Sequence, residues 1–312
     1  MRILVTGGAG FIGANLCRRL VTTPQVDHVA VLDDLSTGAA ANLDGVDVEL
    51  VVGSVLDMDV VHGLVERADS VVHLAARPSV PRSIQDPMAS HLANATGTMT
   101  VLEAARLSGL PQVIVASSSS VYGANPTLPK REDLASRPVS PYAASKLATE
   151  AYALAYGHSF GLPTLAFRFF NVFGPLQAAN HAYAAVVPAF VDAALHGRPL
   201  IVHGDGTQSR DFTFVDSVTA VIERAVTSRL AHPEPVNLAF GSRTTLLELI
   251  AEIESILGCR LPRVHVESRA GDVAHSQADA TLLRALFPDI EPVALADAVR
   301  ITVDWFRSFA DN

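Results

Sequence analysis

Lysine is almost missing from this chain: of 312 residues only Lys130 and Lys146 are lysine, and the formal net charge is −9. No cluster of basic side chains supplies the electrostatic footprint that nucleic acid or an anionic membrane requires, so neither is expected as a partner. Cysteine is just as scarce. Cys17 and Cys259 lie far apart and match no ligand spacing, which predicts no metal site and leaves two thiols suited to a reducing cytoplasm. No apolar run reaches the roughly 18 residues needed to span a bilayer. Met1 leads straight into a strand-like run, with no room for a signal peptide. Charged residues make up 18% and hydrophobic ones 49%, a balance that predicts a large buried core in a soluble, cytoplasmic protein. The length fits roughly two domains, or one large α/β unit with an appendage.

What is present begins with Arg2-Ile3-Leu4-Val5-Thr6, a short buried strand. It runs into Gly7-Gly8-Ala9-Gly10-Phe11-Ile12-Gly13 and then into a helical pattern. Glycines at 7, 10 and 13 allow a tight turn and close approach of backbone to a pyrophosphate at the positive end of the helix. The next strand, His28–Leu32, ends in Asp33, 20 residues after Gly13. A carboxylate there grips the adenosine ribose hydroxyls of NAD, and Asp33 with Asp34 would repel the 2′-phosphate of NADP. Strands over 46–52, 70–74 and 112–117 alternate with helices over 57–65 and 86–108. That alternation predicts an α/β fold, a Rossmann-type doubly wound parallel sheet. The expected division is an NAD-binding domain over 1–174 and a smaller, mainly substrate-binding region over 175–312, with some segments returning to the sheet. In the second part helices are expected over 184–196, 216–227, 245–257 and 295–309, with a strand over 200–203.

Two stretches carry candidate chemistry. Ser117–Gly123 lies at the carboxyl end of a strand, where ligands gather in such sheets. Pro141 opens a helix bearing Tyr142 and Lys146, four apart and hence on one face. A phenol with its ordinary pKa of about 10 is a poor base at neutral pH. A neighbouring ammonium, and a second fixed cation such as an oxidised nicotinamide, are expected to bring Tyr142 near the working pH for general-base catalysis.

These motifs come in sequence with Asp33-Asp34-Leu35-Ser36, Asn94–Thr98, Arg168–Pro175, Arg210-Asp211-Phe212 and Arg269–Asp272. Together they closely resemble the extended short-chain dehydrogenase/reductases, and within them the UDP-sugar 4-epimerases of the UDP-galactose 4-epimerase type. The resemblance covers essentially the whole chain. It implies inversion at C4 of a UDP-hexose through a transient 4-keto sugar, with NAD accepting and returning the hydride. Ser118, 24 residues before Tyr142, matches the serine that hydrogen-bonds the 4-oxygen. Tyr142 and Lys146 complete the catalytic set and also face the cofactor.

The resemblance further implies cofactor contacts from Gly7, Gly10, Phe11, Ile12 and Gly13, and from Asp33, Asp34, Ser36 and Gly38. Ser54, Val55, Leu74, Ala75, Ala76 and Asn94 complete that side. Substrate contacts are implied for Ser79, Ser118, Ser119, Ser120 and Tyr142. They continue with Asn171, Ala185, Val186 and His203, then Arg210, Arg269, Asp272 and Ser276, the arginines neutralising the diphosphate. A homodimer through the helices over 86–108 and 141–161 is implied as well. Related dehydratases and decarboxylases carry acids where this chain has Ser119 and Ser120, which favours epimerisation. A small Ser276 in place of a bulky tyrosine would admit an N-acetyl group, predicting turnover of UDP-glucose and UDP-galactose and of their N-acetyl forms. The alternatives are UDP-glucuronate 4-epimerisation, a 4,6-dehydratase or 4-reductase, and a silent NAD-binding protein. Ser54, Phe169 and Leu176 depart from the family's common Asp, Tyr and Arg, and Ser54 lacks the carboxylate that contacts the adenine amine in the family.

Overall fold

A computed structural model describes residues 1–179, 184–267 and 275–310. The chain opens with β1 (Arg2–Thr6) and α1 (Phe11–Leu20), then β2 (His28–Asp33), β3 (Glu49–Val52), α2 (Met58–Val65) and β4 (Ser70–His73). Next come α3 (Val80–Gln85), α4 (Pro87–His91), α5 (Gly97–Leu107), β5 (Gln112–Ser118), α6 (Pro141–Phe160) and β6 (Thr164–Phe169). After these follow β7 (Asn171–Phe173), α7 (Val186–Leu195), β8 (Leu200–His203), β9 (Ser209–Arg210), β10 (Phe212–Phe214) and α8 (Val215–Thr227). The last elements are β11 (Val236–Leu238), β12 (Thr244–Thr245), α9 (Leu246–Leu257), β13 (Arg263–Val266), α10 (Thr281–Leu286) and α11 (Leu295–Ala310).

Seven strands form one sheet in the order β11-β6-β5-β4-β1-β2-β3, each pair parallel. This is the doubly wound α/β arrangement that the alternating pattern predicts. β5 is buried along its whole length, as a central strand covered on both faces must be. Leu4, Val71, Val113 and Val115 from the strands pack with Val101 and Leu102 of α5. Burial of each such side chain contributes about 1.5–3 kcal/mol. The short β11, for which the sequence predicts no named strand, returns from the second half of the chain to pair with β6.

Contact density separates two units. One comprises residues 1–125, 132–169 and 219–238, and the other 126–131, 170–218 and 239–312. In the second unit, β7 pairs in parallel with β10, β8 in parallel with β13, and β9 antiparallel with β12. Phe173 meets Phe212 edge-on, ring centroids 6.2 Å apart. Thr245 and Glu248 close a reciprocal capping box at the start of α9, which fixes where that helix begins.

Two expected elements differ. The helix expected over 86–108 is α4 and α5 joined by a widened π turn over Leu92–Thr96. There the Asn94 carbonyl accepts from the hydroxyls of Thr98 and, at 3.0 Å, Thr149, and hydroxyls that capture helix carbonyls disturb the regular ladder. The strand expected over 46–52 starts only at Glu49, because Val46 and Val48 are taken up in a tight turn before it.

Candidate functional site

The first unit holds the glycine loop. Gly7 has φ +73°, and a Cβ there would come 2.6 Å from the Ala75 nitrogen. A Cβ on Gly13 would sit 2.2 Å from the Gly7 carbonyl oxygen. Neither position tolerates a side chain, which is why this turn is written in glycine. Gly10 precedes α1 without any side-chain cap, and the residues Phe11 and Ile12 that follow are half-buried. Asp33 is buried at the end of β2. Its Oδ2 accepts from the Ala9 N–H and its Oδ1 from the Leu35 N–H, both at 2.9 Å. The acid therefore also ties β2 to the loop, a task the spacing argument did not reveal.

Asp34 is exposed and accepts from Ser36 N–H and, at 2.6 Å, from its hydroxyl. Gly38 lies against Ala9, where a Cβ would stand 2.7 Å from its carbonyl. Ser54 Oγ accepts from the Leu56 N–H at 3.2 Å, beside buried Val55. Leu74 N–H donates to the Thr6 carbonyl and Ala75 N–H to the Thr6 hydroxyl, with Ala76 next in the same half-buried run. Asn94 is buried; its Oδ1 accepts from Arg77 N–H at 2.7 Å and its Nδ2 donates to Ser145 Oγ at 2.9 Å. Ser79, in the same unit, has φ +96° and caps α3 by accepting from Arg82 N–H.

Ser118, Tyr142 and Lys146 come together on β5 and α6. Ser140 caps α6 by accepting from Ala143 N–H, and Pro141 occupies its first turn, so the two residues lie on its opening turns. The Ser118 hydroxyl is the polar neighbour that acts on the Tyr142 phenol and draws its pKa down. Ser118 Oγ also accepts from Ser120 N–H at 3.1 Å and Ser120 Oγ at 2.9 Å, while half-buried Ser119 leads the turn between. Lys146 Nζ is buried and donates to the Ala116 carbonyl at 2.8 Å.

Burial holds the Tyr142 phenol above its ordinary pKa, and the Ser118 hydroxyl pulls it back only partly. The expectation that Lys146 brings this phenol down is therefore not met in the chain alone. The lysine spends its charge on Ala116 and is itself pushed down to about 8 by burial. His73, at the end of β4, is pushed down to about 3 by burial and by the Lys146 charge. It stands neutral between the hydroxyls of Thr6 and Thr98.

The second unit carries other expected substrate residues. Asn171 donates from both backbone N–H and Nδ2 to the Asp211 carbonyl. Arg210 Nη1 donates to the Ser209 carbonyl at 3.0 Å. Ser276 N–H donates to the same carbonyl, also at 3.0 Å. His203 Nδ1 lies 3.0 Å from the Glu267 carbonyl. Ala185 and Val186 form the start of α7. Arg269 and Asp272 lie outside the described residues.

A model of the NAD dependent epimerase/dehydratase family matches residues 3–239. The chain belongs to that family. Its cofactor is NAD. It is 38% identical to a UDP-glucose 4-epimerase of Mycolicibacterium smegmatis over 99% of both chains. It superimposes with a TM-score of 0.93 and 34% identity on a UDP-N-acetylglucosamine 4-epimerase from Methanobrevibacter ruminantium M1, solved with UDP-N-acetylmuramic acid, covering 99% of this chain and 98% of that one. A UDP-glucuronic acid 4-epimerase from Bacillus cereus, solved with UDP-glucuronic acid and NAD, matches at TM-score 0.91 and 30% identity over 99% and 100%.

For a member of this family the glycine cradle fits its cofactor. Cβ atoms would fill the loop at Gly7 and Gly13, no side chain caps α1, and the Asp33 and Asp34 carboxylates close the end of β2, Asp33 tied to the loop through the Ala9 N–H. Among the described residues no group of His, Cys, Asp and Glu is arranged to hold a metal, and no helix is long and apolar enough to cross a membrane.

Sequence reasoning missed two buried groups beside these positions. Asp211 accepts from Ser242 Oγ at 2.8 Å and from the Gly241 and Ala278 N–H groups, each at 3.1 Å, and burial raises its carboxyl to about 6. Glu150 and Arg168 form an ion pair at 2.6 Å, each side chain 4% exposed. Glu150 lies one helical turn beyond Lys146, a spacing that could have flagged it.

Proposed function

We propose that this chain is a UDP-hexose 4-epimerase that inverts C4 of UDP-glucose and UDP-galactose and of their N-acetyl forms. The observation that supports this most is buried Lys146 donating to the Ala116 carbonyl of β5, one turn along α6 from Tyr142, whose phenol the Ser118 hydroxyl of the same strand draws down. Bound NAD supplies the acceptor and donor of the C4 hydride. Tyr142 takes the proton of the sugar 4-hydroxyl and later returns it. Ser118 holds the 4-oxygen through both halves of the reaction. Lys146, held to β5 through the Ala116 carbonyl, fixes the turn of α6 that presents Tyr142. Ser119 and Ser120 offer hydroxyls where an eliminating relative needs acids, so nothing there expels a leaving group. Gly7, Gly10, Gly13 and Asp33 hold the cofactor, and Asn171, Arg210, Arg269 and Ser276 hold the UDP-sugar.

Incubating the protein with NAD and a panel of UDP-hexoses, followed by chromatography and mass measurement, tests the proposal. A stereoisomer of unchanged mass is expected. A product lighter by water or carbon dioxide would instead make the enzyme a dehydratase or decarboxylase, and turnover of UDP-glucuronate alone would reassign the sugar. The homodimer is proposed through α4, α5 and α6, where Met88, Tyr152 and Phe160 are exposed. A monomer in light scattering would contradict it.

A further inference from the structure

The Arg168–Glu150 pair takes no part in the proposed chemistry, yet it is buried against it. Removing two charges from water is costly, and apolar residues often replace such pairs without loss of stability. Stability is therefore a poor reason for the pair; its geometry offers a better one. Glu150 stands one turn beyond Lys146 and two beyond Tyr142 on α6, so the three share a face. Its Oε2 accepts from Ser117 Oγ at 2.7 Å and from Arg168 Nε at 2.9 Å, and its Oε1 accepts from Arg168 Nη2 at 2.6 Å. Ser117 and Arg168 are register partners across β5 and β6, so both donors aim the carboxylate at one strand position.

The neighbouring residues of β5 are engaged in turn. Ala116 accepts from Lys146 Nζ, and the Ser118 hydroxyl acts on the Tyr142 phenol. Two successive strand residues thus fix two side chains of one helix face, and Ser118, the next along the strand, acts on the third. A slide of α6 by one turn, about 5.4 Å, would bring Lys146 to the place of Glu150, against the buried Arg168. Two like charges would then face each other in a dry site, which excludes that slip.

We infer that Ser117 and Glu150 are positioning residues, a hydroxyl–carboxylate latch that sets where Tyr142 stands relative to Ser118. The inference rests on the proposed roles of those two residues.

Ser117→Ala in the full chain with NAD bound is the test, because it removes the latch hydroxyl and leaves the Arg168–Glu150 pair intact. Tyr142 is titrated by the ultraviolet absorbance of its phenolate, read as the difference between each protein and its Tyr142→Phe counterpart. With the latch gone the Tyr142 phenol should move away from the Ser118 hydroxyl that lowers it, shifting the midpoint upward by about half a unit or more. Turnover of the UDP-hexose should fall about tenfold or more with KM within about twofold, the signature of misplacement rather than lost binding. An unmoved midpoint overturns the latch, including where turnover falls, since Ser117 would then be only a packing residue. If the wild-type protein epimerises no UDP-hexose, the proposed function fails while the titration still decides the latch.

Discussion

Replacing Lys146 by methionine should make the folded protein more stable at neutral pH while abolishing turnover. Burial pushes the Lys146 ammonium from 10.5 down to about 8, a difference between the two protonation states of about 3 kcal/mol. Below about 8 both the folded and the unfolded chain carry the proton, and the fold bears the whole penalty. Between about 8 and 10.5 only the unfolded chain holds it, so stability rises with pH across that window and levels off above it. Methionine keeps the apolar stem and removes the charge. It also removes the donor to the Ala116 carbonyl, and losing that hydrogen bond costs about 1 kcal/mol. The net expectation is a gain of about 2 kcal/mol at neutral pH, shrinking as pH rises through the window. Urea unfolding of the two proteins at matched cofactor content, at neutral and alkaline pH, measures it. A variant less stable than wild type at neutral pH would refute the reasoning, and so would a difference that does not change with pH.

Tyr142→Phe should lower kcat by about 10²–10⁴, the usual worth of a positioned acid–base group, while NAD stays bound; steady-state rates and the cofactor absorbance of the purified protein check both. Ser276→Tyr should abolish turnover of N-acetyl UDP-hexoses and spare UDP-glucose, and equal loss for both in product chromatography would reject the open-wall account of Ser276.

The strands were legible because a central parallel strand must be apolar throughout, as Val113–Ala116 is. The glycine loop was legible because backbone passing within 2.2–2.6 Å of a would-be Cβ leaves one residue type. That Tyr142 and Lys146 share one face of α6 was legible from helical spacing, while their expected roles came from the family resemblance. Glu150 shares that spacing, but its meaning comes from Ser117, 33 residues away, and Arg168, 18 away, a convergence that no local pattern encodes. Asp211 escaped for the same reason: its donors come from Gly241, Ser242 and Ala278. The break at Asn94 depends on Thr149, across from another helix. α3 begins on Ser79 at φ +96°, a conformation that favours glycine and that serine does not announce.

Tyr142 and Lys146 are both pushed by burial toward their neutral forms, the phenol up and the ammonium down to about 8. In the cofactor-free chain the lysine therefore loses its proton before the phenol does, and at no pH do phenolate and ammonium predominate together. A base made from this phenol needs a further positive charge, and the oxidised nicotinamide ring carries one. An opposite charge within about 4–6 Å of an ionising group favours its charged form by about one to three pKa units. The phenolate absorbance of Tyr142, isolated by subtracting the Tyr142→Phe protein, should accordingly shift by about one to two units toward lower pH on saturation with NAD⁺. NADH, whose ring is neutral, should leave it near its cofactor-free position. Equal shifts with both forms would mean that occupancy or desolvation, not ring charge, sets the phenol, and the electrostatic account of the base would be wrong.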